Sequence, residues 1–406
     1  MRKAITAVLA LTLAASVLTG CGGNTNSSSG TTSGGSTAAA ASESGTGGSE
    51  DPIKIGVIAP VTGDRAEGGK SVWLSFEIAV RDINAKGGVL GRQVELVRED
   101  SKGDSKEAVE LAKKMVDNKD IVAVLGPMTS AEAIACSPIF DEGGLVELAP
   151  VASNNEYAVM SPWSFTVAGR QSAEMPYFVE KILSEYSDTK SVGVIYVNDD
   201  WGVSSIESLT PACEKAGIEI TTAENFAAGE KDFTAILTKI RQTNPESLVI
   251  MTQAAEGSLI LNQVAAMGWD VNTIGVGAMY SDQVIQLAGE KANGLVAPSC
   301  FFLSEDDAPA WEYATKFEKE AGFKPTIHGP LSYDAALVLC DAIERAGSAD
   351  REAIRDALQA TKGFKGLAGD YEFTEDGDMI RQYRVLQVED GQWNAKTDYA
   401  SAANAQ

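Results

Sequence analysis

The 406-residue sequence has few of the side chains with which enzymes bind metals or activate nucleophiles. It contains one histidine, His328, and five cysteines without a CxxC pair. Neither an HExxH motif nor a Cys/His cluster is present, so we expect no metal site and no cofactor. A Ser-His-Asp hydrolase would have to use His328, and the GxSxG motif of such enzymes is missing. The sequence therefore favours a binding protein over a secreted enzyme.

Basic residues are also scarce. The chain has 33 lysines and arginines against 57 aspartates and glutamates, which gives a net charge of -24. A chain this acidic repels nucleic acid and anionic lipid, so we expect neither as a partner. A P-loop is missing as well, because the pattern that ends in Gly69-Lys70-Ser71 would need glycine at position 64, where Asp64 stands. Nucleotide binding is therefore not expected.

Long hydrophobic runs are absent after the N-terminus. Two basic residues precede an apolar run from Ala4 to Val17, which is too short to span a bilayer comfortably. The run leads into Leu18-Thr19-Gly20-Cys21, which matches the lipobox of bacterial lipoproteins. We predict a signal peptide over residues 1–20 and lipidation of Cys21, with a plain signal peptide or a transmembrane anchor as the alternatives. The protein is then extracytoplasmic and held at the cell membrane by its lipid alone.

Residues 21–51 have the composition of a flexible tether. Between Asn24 and Ser49 the chain is rich in Gly, Ser, Thr and Ala, and Glu43 is its only charge. Such a segment buries too little surface to offset its ordering entropy, and as a random coil it reaches roughly 30 Å. We expect it to join the lipid anchor to the folded part of the chain.

Four cysteines remain besides Cys21, and they lie far apart in the sequence: Cys136, Cys213, Cys300 and Cys340. Four cysteines allow three disulfide connectivities, between which the sequence does not decide. In a chain of this size we expect buried thiols instead of a disulfide framework.

From residue 51 onward, strand-like and helix-like segments alternate. Strands are predicted at 53–59, 93–98, 121–125, 145–149, 192–197, 218–223, 247–251, 273–276 and 294–298. Helices are predicted at 71–86, 105–117, 203–216, 232–242, 257–267, 282–287, 308–321, 330–346 and 350–360, and another begins at residues 129–130. A hairpin-like pair, 369–373 with 381–389, follows them. This order predicts an α/β fold of two doubly wound parallel-sheet lobes.

Two strand ends carry small polar residues. The buried strand 121–125 is followed by Thr129 and Ser130, which stand where a helix begins. A helix N-terminus offers free N–H groups and the positive end of the helix dipole to an anion. The alternative is ordinary helix capping by the two hydroxyls. A second loop of this kind, residues 149–154, follows the next strand, and ligands of open α/β sheets bind at this edge.

The order of several blocks resembles the type I periplasmic binding proteins, and among them the leucine/isoleucine/valine-binding family that serves ABC importers. The block IKIGVIAPVTGDRAEGGKSVWLSFEIAVRDINAKGGVLGRQVELVRED is similar to that family's first strand, loop, helix and second strand. The blocks AVLGPMTS, LAPVASN, GEKDFTAIL and SYDAALVL follow in the family's order. The resemblance covers residues 53 to about 392. It implies a small-molecule ligand in a cleft and ABC permease subunits as partners.

The resemblance also implies the residues that line this cleft. The loop hydroxyl that holds a ligand carboxylate is similar to Ser130, and the backbone and hydroxyl of the next loop are similar to Val151 and Ser153. An aromatic residue after the first strand of lobe two resembles Trp201, and a later loop matches around Glu256.

The chain departs from the family at other cleft positions. Branched-chain amino acid binders carry an acid for the ligand ammonium near residues 277–281, where this chain reads GAMYS. An aromatic residue of the first loop falls near Gly68, and a contact from lobe one falls at His328, for which a surface position is the alternative. Glu256 or Glu67 could replace the missing acid. The carboxylate position is therefore better supported than the ammonium position.

Two further candidates complete the predicted site. Tyr280 lies in the GAMYS loop, and Thr129 lies beside Ser130. The alternative for Tyr280, as for Trp201, is a place in the hydrophobic core.

The resemblance implies two lobes that close on the ligand. Lobe one is expected to contain residues 53–170 and 297–378, and lobe two residues 171–296 and 379–395, with a tail at 396–406. Chain crossings near Arg170, Ala297 and Met379 would act as hinges. We expect a monomer that binds an amino acid or a related carboxylate. A ligand sensor of the same fold, or a binder of an amide or an aromatic acid, is the alternative.

Overall fold

The structure is a computed structural model that describes residues 51–63 and 65–402. The predicted signal peptide, Cys21, most of the tether and the end of the tail lie outside the described residues. Among those that are described, no helix combines the length and the apolar character that a membrane span requires.

The first sheet has five parallel strands in the order β2-β1-β3-β4-β5. The strands are β1 (Ile53–Ala59), β2 (Val94–Asp100), β3 (Ile121–Leu125), β4 (Glu147–Ala149) and β5 (Ser164–Thr166). The chain winds outward from β1 to β2 and then returns to β3 on the other side. This order is that of a doubly wound sheet, whose switch point lies between β1 and β3.

Helices cover both faces of the first sheet. Strand residues alternate between the two faces, so that Val57 packs toward one layer and Ile58 toward the other. One layer contains α1 (Ala66–Ala85) and α10 (His328–Ala346), and the other contains α2 (Ser105–Asp117) and α3 (Ser130–Gly143). The helix α11 (Arg351–Gln359) also belongs to this lobe, because it packs near β3.

The second sheet repeats this winding with other residues. The strands β6 (Ser191–Val197), β7 (Glu219–Phe226), β8 (Ser247–Met251), β9 (Asn272–Gly275) and β10 (Val296–Ser299) are parallel, in the order β7-β6-β8-β9-β10. Its switch point therefore lies between β6 and β8. The helices of this lobe are α4 (Gln171–Tyr177), α5 (Asp200–Ala216), α6 (Thr234–Gln242), α7 (Ala254–Ala266) and α8 (Asp282–Ala288). A π-helix, Phe178–Tyr186, continues α4.

The predicted fold of two doubly wound parallel-sheet lobes is confirmed, and the second lobe adds antiparallel strands at one edge. The strand β13 (Gln382–Glu389) pairs antiparallel with β10, and β14 (Gln392–Ala395) and β15 (Ala400–Ser401) pair antiparallel with β13. The end of the chain thus returns as an antiparallel edge, which needs no crossover helix.

The predicted hairpin of residues 369–373 and 381–389 is wrong. The strand β12 (Gly369–Tyr371) pairs instead with β11 (Phe364–Gly366), three residues earlier in the chain. The buried carboxylate of Asp334 explains this pairing, because it accepts hydrogen bonds from the N–H groups of Leu367 and Ala368 at the turn and from the Tyr371 hydroxyl.

Three chain crossings connect the two lobes. The first precedes α4, and the third precedes β13. The crossing expected near Ala297 follows Ser299 instead, because Ala297 lies inside β10 and pairs with Leu386. The chain then enters α9 (Ala308–Ala321), which packs against α1. The first and third crossings lie side by side, since Arg170 bonds Asp378 with its Nε at 2.7 Å.

Four helices, α1, α5, α7 and α10, begin earlier than predicted, and glycine is the reason in α1 and α5. The helix α1 starts at Ala66 and α5 at Asp200, instead of residues 71 and 203. A Cβ at Gly69 would lie 1.6 Å from the carbonyl oxygen of Pro60, and one at Gly202 would lie 1.9 Å from that of Val197. Glycine therefore allows the first turn of each helix to approach the preceding strand end.

The cysteines Cys136, Cys213, Cys300 and Cys340 are all buried, and none forms a disulfide. Burial raises the pKa of the Cys213 and Cys340 thiols to about 12, which keeps them protonated.

Candidate ligand-binding site

The loops after the strands of both sheets surround one cavity of about 450 Å³. Lobe one contributes a lining residue after each of its first four strands, namely Gly68, Lys102, Ser130 and Ser153, and Gln171 lines the cavity at the start of α4 in lobe two. Lobe two also contributes a lining residue after each of its parallel strands: Trp201, Gly229, Glu256, Gly277 and Cys300. Both switch points open into this cavity, which is where ligands bind in doubly wound sheets. Its volume lies in the range of small-molecule pockets, about 300–1,000 Å³.

The two hydroxyls at the start of α3 have different partners. Thr129 forms a capping box, in which its hydroxyl donates to Glu132 Oε2 at 2.8 Å and accepts from the Glu132 N–H. Thr129 lines the cavity, but its hydroxyl is therefore occupied. The Ser130 side chain also lines the cavity, is buried, and bonds to none of the described residues. A hydroxyl and a helix N-terminus thus face the cavity together.

The Ser153 hydroxyl is held by a buried glutamine. Gln171 donates through Nε2 to Ser153 Oγ at 2.9 Å, and its backbone N–H donates to the Ser153 carbonyl. Because Ser153 Oγ accepts this bond, its own proton is free to be donated into the cavity. Ser205 donates to Gln171 Oε1 at 2.9 Å, which fixes the orientation of the amide. Val151, two residues before Ser153, also lines the cavity.

Lobe two faces these groups with Trp201 and Glu256, both of which line the cavity. Trp201 is partly buried in the first turn of α5. Glu256 is in the first turn of α7, where it accepts hydrogen bonds from the Gly229 N–H and the Thr252 hydroxyl, each at 3.3 Å. Its carboxylate therefore has partners from the protein.

His328 lines the cavity at the start of α10. Burial, assisted by the positive charge of Arg65, lowers the pKa of His328 to about 4, so the imidazole is neutral at pH 7. A Cβ at Gly68 would lie 2.7 Å from Met128 Cε and 3.3 Å from His328 Nδ1. The side chains of Met128 and His328 thus occupy the space of the aromatic residue that the family resemblance places near Gly68.

Tyr280 is the one predicted lining residue that the structure places elsewhere. It is buried behind the wall, where its ring packs edge-on against Trp393 at 5.5 Å. Its hydroxyl accepts a hydrogen bond from the Leu303 N–H at 3.2 Å. The core alternative applies to Tyr280, while Trp201 reaches the cavity.

Several polar contacts join the lobes across the cleft. Arg65 of lobe one pairs with Asp199 of lobe two at 2.6 Å, and both side chains are partly buried. Gln283 donates to Glu67, and Asn155 bonds Ser204 and Ser208 of α5. The two lobes therefore lie in a closed arrangement around the cavity.

Sequence reasoning missed Arg65, Gln171, Glu174 and Gln283, all of which line the cavity. Gln171 and Glu174 are one helical turn apart in α4. The spacing of these two polar residues, directly after a chain crossing, is the sequence feature that could have indicated that both face the same side of the helix. Burial raises the pKa of Glu174 to about 7, although the hydrogen bond from Gln171 counteracts this effect.

This geometry defines a two-lobed α/β protein with a ligand cleft. Comparison with known proteins agrees: the model of the family described as "Periplasmic binding protein" matches residues 52–392. The chain belongs to this family of extracytoplasmic solute-binding proteins. It is 28% identical over 332 residues to the leucine-, isoleucine-, valine-, threonine- and alanine-binding protein of Pseudomonas aeruginosa, which covers 81% of this chain and 87% of that protein.

Two solved structures extend the comparison. LivJ of Streptococcus pneumoniae, a branched-chain amino acid transporter substrate-binding protein in complex with isoleucine, superposes with a TM-score of 0.79 at 25% identity, covering 86% of this chain and 100% of that one. A solute-binding protein of an ABC transporter from Rhodopseudomonas palustris, in complex with 3,4-dihydroxybenzoic acid, has a TM-score of 0.78 at 21% identity, covering 87% and 98%. At 21% identity, the second comparison shows only that the two proteins share a fold.

Proposed function

We propose that this protein is the solute-binding lipoprotein of an ABC importer. It captures a branched-chain-like amino acid, or a related small carboxylate, and delivers it to permease subunits. The observation that carries this proposal is the cavity at the carboxyl ends of both sheets, with two serine hydroxyls free to donate. The names of the Pseudomonas and Streptococcus proteins support the ligand class.

Ser130 and Ser153 would bind the ligand carboxylate. Two hydroxyl donors and the N-terminus of α3 suit an anion, because both the hydrogen bonds and the helix dipole stabilise negative charge. The apolar wall formed by Met128, Val151 and Trp201 would contact the rest of the ligand. A small solute with one carboxylate and an apolar body fits this arrangement of hydrogen-bond donors and apolar wall.

Ligand capture would proceed by closure of the lobes. Lobe one would hold the carboxylate first, and lobe two would then close with Trp201 and the loop of Glu256. The crossings at Arg170, after Ser299 and near Met379 would act as hinges, since each lies outside the named helices and strands and passes between the lobes. The pair of Arg65 and Asp199 would form only on closure.

A thermal-shift screen tests the ligand class. Amino acids, short carboxylates, amides and aromatic acids would be compared, because a ligand at 100 times its dissociation constant adds about 2.7 kcal/mol to the free energy of unfolding. We expect stabilisation by amino acids with apolar side chains. Stabilisation by aromatic acids or amides alone would contradict the branched-chain-like assignment.

The anchor has a separate test. We propose that the mature protein begins at acylated Cys21 and functions as a monomer at the outer side of the cell membrane. Wild type should partition into the detergent phase, and Cys21→Ala should stay in the aqueous phase. Equal partitioning into water would refute the lipid anchor.

A further inference from the structure

The end of the cavity near α4 contains a carboxylate that the sequence patterns did not reveal. The family resemblance leads us to expect an acid near residues 277–281, but Gly277 there has no side chain. A Cβ built on Gly277 would lie 3.4 Å from the carbonyl oxygen of Pro298 and 3.7 Å from Oε1 of Glu174. Both residues line the cavity. A carboxylate from α4 therefore faces the position from which the acid is missing.

Gln171 fixes the position of this carboxylate. Its Nε2 donates one proton to Ser153 Oγ at 2.9 Å and the other to Glu174 Oε2 at 3.2 Å. The two oxygens share one nitrogen as donor, so their separation cannot exceed the sum of these distances. An α-amino acid carries its carboxylate and its ammonium on the same carbon atom. The spacing of Ser153 and Glu174 thus suits both groups of one such ligand.

Of the acids that line the cavity, Glu67, Glu174 and Glu256 have no lysine or arginine partner among the described residues, and of these only Glu174 accepts from the Gln171 amide that also holds Ser153. Asp199 pairs with Arg65, Glu67 accepts from Gln283, and Glu256 accepts from Thr252. Within the described part of the chain, no lysine or arginine forms an ion pair with Glu174. A partly buried carboxylate without a cation favours a ligand that brings one.

The titratable groups around Glu174 come from two other elements. Tyr383 of β13 lies near its carboxylate, and Cys300 follows β10. Arg381 lies beyond Cys300, with 3.7 Å between its Nη2 and the thiol sulfur. Burial raises the pKa values of Tyr383 and Cys300 above their ordinary range, so both stay neutral near pH 7.

We propose that Glu174 binds the ammonium group of the ligand while Ser130 and Ser153 bind its carboxylate, so that the site selects α-amino acids over carboxylates that lack an amine. This inference rests on the proposed function, since it requires a carboxylate ligand in the cleft. An ammonium beside Glu174 stabilises its ionised form, and amino acid binding therefore releases a proton to solvent near pH 7.

Calorimetry on matched ligand pairs tests this proposal. The probes are leucine, isoleucine and valine, each with the carboxylic acid that lacks the amine, titrated into wild type and Glu174→Gln. Glutamine preserves the shape of the side chain and an oxygen that can accept from Gln171. We expect Glu174→Gln to weaken amino acid binding about 10- to 150-fold, the loss of one charge-assisted hydrogen bond, and to leave the desamino acids within about threefold. Glu67→Gln and Glu256→Gln serve as matched controls with smaller effects.

Proton release separates this role from a merely structural one. Titrations in buffers of different ionisation enthalpy should show proton release with the amino acids on wild type near pH 7. The release should vanish in Glu174→Gln, and amino acid affinity should rise with pH through about 7 in wild type only. Equal weakening of amino and desamino ligands in Glu174→Gln would overturn the proposal in favour of a structural role.

The remaining outcomes test the role of Glu174 separately from the proposed function. If desamino acids bind wild type as tightly as amino acids and Glu174→Gln changes neither, the role of Glu174 is refuted while the carboxylate site stands. A dominant effect of Glu67→Gln or Glu256→Gln would assign the ammonium to that residue instead. If neither series binds, the proposed function fails together with this inference.

Discussion

Removal of the two serine hydroxyls should separate ligand binding from folding stability. If Ser130 and Ser153 each donate to a ligand carboxylate, Ser130→Ala and Ser153→Ala each lose one charge-assisted hydrogen bond. Such a bond is worth about 1.5–3 kcal/mol. At about 1.4 kcal/mol per decade, each variant should bind about 10- to 150-fold more weakly.

The two variants should differ in the stability of the empty protein. No described group bonds the Ser130 hydroxyl, so its loss leaves no partner behind. Ser153→Ala, in contrast, deprives one proton of Gln171 Nε2 of its acceptor, and Gln171 is only 2% exposed. An unsatisfied buried donor costs about 1–3 kcal/mol. We therefore expect Ser153→Ala, and not Ser130→Ala, to lower the free energy of unfolding.

The assay combines calorimetry with leucine and urea unfolding of the empty protein. Ser137→Ala is the matched control, because Ser137 is buried, bonds Ser164 at 2.8 Å and does not line the cavity. It should lose stability and keep its affinity. Wild-type affinity in both Ser130→Ala and Ser153→Ala would refute the carboxylate site.

Three further predictions follow from single contacts. Thr129→Val removes the capping box of α3 and should lower the free energy of unfolding in urea by about 1 kcal/mol; an unchanged midpoint would contradict the cap. Asp199→Asn keeps a capping side chain on α5 but loses the ion pair with Arg65, so stopped-flow measurements should show ligand release up to about fivefold faster, with a smaller difference at high salt. The depressed pKa of His328, about 4, means that its neutral form stabilises the fold above pH 6.5 and that this stability is lost as pH falls toward 4. The free energy of unfolding of His328→Gln should decline less over this range, and identical pH profiles would contradict the burial of His328.

Regular elements could be predicted where a continuous pattern has sharp ends. The bounds of β1, α2, β3, β8 and α9 are those predicted. The strands among them are short apolar runs, and α2 has an aspartate cap, Asp104, that accepts from two backbone N–H groups. Early starts such as that of α1 were missed, because Gly68 and Gly69 carry no helical signal of their own.

The segment between residues 155 and 190 could not be assigned from the sequence. It contains β5, only three residues long, and a helix that changes from α to π geometry at Phe178. Neither produces a long periodic pattern. Both elements depend on tertiary partners, such as β4, which pairs with Ser164–Thr166.

The residues of the candidate site could also be predicted only in part. Ser130, Ser153 and Trp201 could be predicted, because loops after parallel strands meet at one sheet edge. Glu174 could not, since α4 follows a chain crossing whose direction is set by contacts such as that of Arg170 with Asp378. The place of Tyr280 was equally open, because a strand end can turn an aromatic ring toward either the core or the cleft.

The crystal structure of the protein with its preferred amino acid tests the central claim most directly. We predict closed lobes and a ligand whose carboxylate lies within about 3 Å of the hydroxyls of Ser130 and Ser153. A ligand bound outside this cleft, or one in the cleft whose carboxylate contacts neither serine, would contradict the account.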